Sequence, residues 1–229
     1  MNFIARNPSN RQTVTVTTKR YTDISVDINN IFVRKISKDK RRTSMTEFPE
    51  LITDKLKLRK IRPSDIPSLL KYCNNKNISD QIINIPYPYL EDDAIFRMNF
   101  VLQGFKNKER YVFAISLKDS EELIGEIGLH LDKVNNSAQF GYWIAEPFWG
   151  KGIATEALAA ILKFGFETLH LHKIYATHYP DNLSSGKVML KNKMIKEAEM
   201  KEHYKIEGVY KDVIQYRLTK EEYEERNSH

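Results

Sequence analysis

The segment that most constrains this chain is 141–158, Gly-Tyr-Trp-Ile-Ala-Glu-Pro-Phe-Trp-Gly-Lys-Gly-Ile-Ala-Thr-Glu-Ala-Leu. An apolar strand pattern runs into a turn containing Gly150 and Gly152, and helical spacing begins directly after it. Glycines let the backbone pass close to a ligand. The unpaired N–H groups of a helix start, with the positive end of the helix dipole behind them, suit a pyrophosphate. Lys151 adds a cation at the same place. A plain strand-to-helix turn has the same pattern, and a lone Gly-x-Gly does not separate the two. The spacing does exclude a Walker A loop, which needs a longer loop ending in Gly-Lys-Ser/Thr. It also excludes a dinucleotide fingerprint, because no third glycine follows.

The flanking sequence predicts a mixed α/β domain. Leu56, Leu58 and Ile61 begin a strand, and Ser64 is placed to cap a helix carrying Ile66, Leu69, Leu70 and Cys73. A proline loop follows over 82–90. A helix over 91–106 places Ala94, Ile95, Met98, Val101, Leu102 and Phe105 on one face, with Glu91, Asp92 and Asp93 at its start. Strands are predicted at 111–117, 122–131, 138–145 and 173–179, and near 212–218. Helices are predicted at about 153–169 and 184–192, with a charged tail at the end. Of 229 residues 41% are apolar, enough for a buried core. Cys73 is the single cysteine, which excludes intramolecular disulfides and cysteine-rich metal sites and suggests a cytoplasmic location. No apolar run is long enough to cross a membrane.

The net charge of +6 is concentrated in residues 1–50, where ten Lys/Arg stand against five Asp/Glu. The remainder is nearly neutral, so a general nucleic-acid surface is not expected. Residues 1–44 are sparse in apolar residues and read as a basic, loosely ordered extension, with Met45 as a candidate native start. The domain proper is placed at 45–225, with a tail at 226–229.

Trp149-Gly-Lys-Gly-Ile-Ala154 resembles the acetyl-CoA loop of the GNAT N-acetyltransferases, Gln/Arg-x-x-Gly-x-Gly/Ala, in the form used by the RimJ/RimL branch that acetylates ribosomal-protein N-termini. Gly141-Tyr-Trp-Ile144 is similar to the strand that splays there to admit pantetheine. Two more segments match in order: Asn182-Leu-Ser-Ser185 through Met194, and Gly208-Val-Tyr-Lys-Asp212. The resemblance covers about residues 53–224. There are departures: Leu190 stands where the family has Glu, Lys193 where it has a helix-ending Gly, and Ala198 where Gly is common.

The resemblance implies a central, twisted, mostly antiparallel sheet flanked by helices, with a splay between its fourth and fifth strands (138–145 and 173–179). It implies acetyl transfer from acetyl-CoA to a primary amine by direct attack, most naturally a protein N-terminus, with no metal. Tyr142, Trp143, Ile144, Trp149, Gly150, Lys151, Gly152, Ile153, Ala154 and Thr155 fall in the cofactor segment, and Asn182 at the residue that binds the pantetheine arm. Glu126, in an otherwise apolar strand, matches a position where relatives place a base; an outward-facing strand residue is the plainer alternative. Ser185 matches the residue near the CoA sulfur, or is an ordinary helix-start serine. Tyr87 and Tyr89 are either an acceptor wall or core. Cys73, His170, His172 and His178 read as structural. A polyamine, aminoglycoside or amino acid acceptor remains an alternative, with Asp80, Glu91, Asp92 and Asp93 as candidate acids. So does a non-catalytic CoA-binding protein. The sequence leaves the oligomeric state open.

Overall fold

The computed structural model describes residues 47–206 and 208–227. The expectations for residues 1–44, and for Met45 as a start, lie outside them. Eight strands form one sheet: β1 (Leu51–Ile52), β2 (Leu56–Arg59), β3 (Arg110–Leu117), β4 (Gly125–Asp132), β5 (Ser137–Ile144), β6 (Lys173–His178), β7 (Ile195–Ile206) and β8 (Val209–Thr219). Their order is β1-β2-β3-β4-β5-β6-β8-β7. Every neighbouring pair is antiparallel except β5 and β6. The helices are α1 (Ile66–Cys73), α2 (Lys76–Ser79), α3 (Glu91–Lys106), α4 (Ile153–Lys163), α5 (Leu183–Lys191) and α6 (Lys220–Asn227). No helix among the described residues is long and apolar enough to cross a membrane.

Helices cover both sides of the middle strands, which is why Tyr111–Leu117 reads as a near-continuous apolar run. On one face Phe113, Ile115, Ile127, Leu129 and Phe140 pack with Ala157, Leu158 and Ile161 of α4. On the other, Val112, Ala114 and Trp143 pack with Leu69 of α1 and Ala94 and Val101 of α3. Cys73 lies in this second core, where burial pushes its thiol pKa up.

The expected splay is present. The parallel pair holds only at Ser137–Lys173, Ala138–Ile174 and Gln139–Tyr175. Beyond Gln139 the β6-facing edge of β5 has no strand beside it, while β6 continues along β8 to the His178–Ile214 pair. A wedge therefore opens in the middle of the sheet, with α4 and α5 on one side of it.

Three local features differ from expectation. The chain over 195–206 is a strand: β7 is rich in charge, and two register shifts against β8 break the alternation that would mark it. The charged end is helical. Thr219 and Glu222 form a reciprocal cap (Thr219 N to Glu222 Oε2, 2.9 Å; Glu222 N to Thr219 Oγ1, 3.3 Å), and Tyr223 stacks on Phe166. The entry to α1 is set by Asp65, not Ser64: its carboxylate accepts the Arg62 N–H at 2.8 Å. Asp65 also takes both ends of the Arg59 guanidinium, at 2.9 and 2.8 Å.

Helix α5 ends in a Schellman turn, with Met194 N to Met189 O at 3.0 Å and Lys193 N to Leu190 O at 2.8 Å. Lys193 occupies its left-handed position at φ 60°, a conformation that favours glycine. Lys193→Gly should therefore stabilise the fold by about 1 kcal/mol, the strain removed less the chain entropy a glycine adds. Thermal unfolding checks this; an unchanged or lower melting temperature contradicts it.

Candidate active site at the parted strands

β5 ends at Ile144, a short 3-10 turn follows over Glu146–Phe148, and the chain then turns through Trp149–Gly152 into α4. Gly150 and Gly152 have φ of 74° and 80°. A Cβ at either would meet nothing within 4 Å, so their surroundings are open. No side chain caps α4, and its first amides have no side-chain partner. Trp149 closes the turn by donating its indole N–H to the Ile144 carbonyl at 2.6 Å. The Lys151 ammonium lies 5.4 Å from the Phe148 ring centre. Ile153 is buried in the core and Ala154 packs against it, while the Thr155 carbonyl accepts from Asn192 Nδ2 at 3.1 Å, joining α4 to α5. Glu156 holds the other side of this helix start, accepting from Thr53 Oγ1 at 2.6 Å and Lys55 N at 2.8 Å. The result is a rigid helix start whose free N–H groups suit an anion.

The wedge lies between this turn and α5. Tyr142 projects from β5, and its hydroxyl sits 3.0 Å from Ser185 Oγ on α5. Burial raises the Tyr142 phenol pKa, and the Ser185 bond opposes this. Asn182 is the N-cap of α5, its Oδ1 accepting from Ser185 N at 3.1 Å. Tyr142, Ser185 and Asn182 are thus brought together where β5 and β6 part.

Glu126 and Trp143 lie on the opposite face of the sheet. Glu126 is 2% exposed. Its Oε2 accepts from Arg97 Nε of α3 and from Trp143 Nε1, both at 3.0 Å. Oε1 is buried with no hydrogen-bond partner among the described residues. Trp143 therefore serves Glu126 and is not brought to the glycine turn. Period-two alternation already separates it from Tyr142 and Ile144. Nothing in the local sequence marked Arg97 as the partner of a residue 29 positions on. Tyr89 is buried near the same group, and Tyr87 is exposed. Gly141, on this face, would meet nothing within 4 Å of an added Cβ, so space is open beside the β4–β5 pair.

Arg110 and His130 border the same region. The Arg110 stem runs where a Cβ on Gly104 would lie 2.3 Å from its Cδ, and its guanidinium stacks 3.7 Å from the Phe100 ring centre. Burial, and then the charges of Arg97 and Arg110, push the His130 imidazole down to about 4. An unfolded histidine titrates near about 6.5. From there down to about 4 the unfolded chain binds more protons, so stability falls as pH drops through this window. His130→Gln should flatten that part of the stability curve, read from denaturant midpoints across pH; an unchanged slope contradicts the assignment.

The sequence matches the acetyltransferase (GNAT) domain over residues 55–195. The chain belongs to the GNAT acetyltransferase family. It is 31% identical over 177 residues to the uncharacterized N-acetyltransferase p20 of Bacillus licheniformis, covering 76% of this chain and 97% of that protein. The ribosomal-protein-serine acetyltransferase of Escherichia coli (strain K12) is 25% identical over 167 residues, covering 72% of this chain and 93% of its own. The solved structure of spermidine N-acetyltransferase from Vibrio cholerae, in complex with CoA and spermine, gives a TM-score of 0.64 at 25% identity, covering 75% of this chain and 99% of that one. This GNAT protein is an acyltransferase.

Proposed function

We propose that this GNAT enzyme transfers the acetyl group of acetyl-CoA to the α-amine of a protein N-terminus. The observation that carries the cofactor assignment is the uncapped start of α4 behind two left-handed glycines, opening beside parted strands. The solved CoA complex of a family member of the same fold supports it. Acetyl-CoA supplies an activated acyl carbon and a thiolate leaving group. The amides of Gly152, Ile153 and Ala154, with Lys151, hold its pyrophosphate. Asn182 and the free edge of β5 border the pantetheine path, and Tyr142 and Ser185 stand at its inner end.

The acceptor enters from the opposite face, where Gly141 leaves room. There Glu126, fixed by Arg97 and Trp143, offers Oε1 to an amine N–H. An α-amine with a pKa of about 7.8 is roughly one part in seven free base at pH 7; a lysine amine at about 10.4 is only about one part in 2500. A carboxylate already engaged by a guanidinium suits the easier deprotonation. The relative that acetylates a ribosomal-protein serine supports the same acceptor class.

The spermidine acetyltransferase likeness favours a second acceptor, a polyamine. That choice calls for unpaired acids near the site. Asp80 pairs with Lys76 at 3.0 Å and Asp93 accepts the Leu90 N–H at 2.9 Å, while Glu91 and Asp92 stand exposed at the start of α3.

The test is incubation with acetyl-CoA and three acceptors in parallel: serine-initiated peptides with free N-termini, the same peptides N-terminally blocked but containing lysine, and spermidine. CoA thiol release and the mass gained are read together. Acetylation of the free N-termini alone is expected. Turnover of spermidine or of the blocked peptides alone contradicts the assignment.

A further inference from the structure

His178 is the last residue of β6, beyond the stretch paired with β5, on the face of the sheet that carries Ile174 and Ala176 into the α4 core. It is 7% exposed. Its Nδ1 lies 2.7 Å from the Tyr179 carbonyl oxygen. A carbonyl only accepts, so Nδ1 carries the proton and Nε2 is left with a lone pair. That Nε2 is buried and has no hydrogen-bond partner among the described residues. The ring is stacked on Tyr216 of β8, centroids 5.6 Å apart, and Nε2 lies under the first turn of α5. A Cβ on Gly186 would be only 3.0 Å from it, so the glycine next to Ser185 is what lets the imidazole fit. The groups bonded to, stacked on or packed against the ring are uncharged: the Tyr179 carbonyl, Tyr216 and Gly186. Tyr142, through Ser185, is the next titratable group across the wedge, and Asp181 lies in the following loop.

A buried imidazole with a fixed tautomer and an idle lone pair is costly unless something donates to it. Ser185, the neighbour of Gly186, meets Tyr142 where β5 and β6 part, so the ring stands beside the wedge. We propose that His178 is a further catalytic residue, with Nε2 directed to the sulfur of acetyl-CoA, shuttling one proton from the acceptor nitrogen to the departing thiolate. The inference rests on acetyl-CoA occupying the wedge, as assigned under Proposed function.

The step balances without another reagent. The free amine attacks the carbonyl carbon, and the new C–N bond leaves a positive charge on nitrogen. Nε2 takes one proton from that nitrogen. The C–S bond breaks, its electron pair goes to sulfur, and the imidazolium returns the same proton to the thiolate. The products are the amide, CoA thiol and neutral His178. An imidazolium is a stronger acid than a thiol, so it gives its proton to a thiolate downhill. The Tyr142 phenol, pushed up by burial, is a weaker proton donor to the same sulfur.

The test needs no acceptor. The ultraviolet absorbance of the CoA thiolate is followed across pH for CoA bound to the full chain, to His178→Asn and to Gly186→Ala, with CoA affinity and thermal unfolding measured on each. Asn keeps a donor for the Tyr179 carbonyl but removes Nε2. Gly186→Ala keeps the imidazole and crowds Nε2. In the unaltered protein Nε2 accepts from the S–H group and keeps the proton on sulfur, so the bound thiol should give it up about tenfold less readily than free CoA. His178→Asn should abolish that shift while still binding CoA, and Gly186→Ala should reduce it. An identical thiol titration in the unaltered protein and in whichever variants fold overturns the role of His178. No binding of CoA to the unaltered protein overturns the cofactor assignment itself, and the proposal with it.

Discussion

Gly152→Val should weaken acetyl-CoA binding by at least about tenfold while leaving the protein folded. The residue sits at φ 80°, a conformation that costs a side-chain-bearing residue about 1–2 kcal/mol and a β-branched one more. Space is not the obstacle, because an added Cβ meets nothing within 4 Å. The chain can therefore escape the strain only by rotating the turn. That rotation re-aims the amides at the head of α4, and an anion held by several N–H groups loses them together. Calorimetric titration of acetyl-CoA, with thermal unfolding as a control, checks this. Unaltered affinity in a folded variant would show that the glycine turn is only a connector, the plainer of the two possibilities the sequence allowed.

Arg59→Met should destabilise the domain by about 3–5 kcal/mol, the usual cost of breaking a buried ion pair from one side. Arg59 and Asp65 are 1% and 2% exposed. The guanidinium spans both Asp65 oxygens and also donates to the carbonyls of Lys60 and Glu121. Without it, the Asp65 carboxylate keeps only the Arg62 N–H. In a domain of this size the melting temperature should fall by roughly 6–20 °C. The double variant Arg59→Met, Asp65→Asn removes the stranded charge yet keeps an acceptor for Arg62 N–H, and should recover most of the loss. A double variant as unstable as the single one would place the cost in packing around Arg59, not in the buried charge.

What was legible in the sequence is what local chemistry dictates. The glycines of the turn and the apolar spacing of α3 and α4 are short-range signals, and the elements stand where that spacing puts them. β7 was hidden because two bulges break its alternation and charge fills its exposed positions. α6 had a usable signal, the Thr219-x-x-Glu222 capping box, outweighed by the charge of its residues. The site itself divides in the same way. Tyr142 and Ser185 were found through motifs, but their 3.0 Å contact joins residues 43 positions apart. The Arg97 bond to Glu126 is likewise a product of how α3 lies across the sheet. His178 read as a structural histidine because its idle Nε2 exists only once β6, β8 and α5 have assembled around it.

The most direct measurement is thermal unfolding of the full chain with and without acetyl-CoA, the ligand held at about a hundred times its dissociation constant. A ligand bound only by the folded state adds about 2.7 kcal/mol under those conditions. The melting temperature should rise by roughly 5–10 °C, and the rise should be lost in Gly152→Val. No shift with millimolar acetyl-CoA would contradict the central claim that the glycine turn and the parted strands form an acetyl-CoA site.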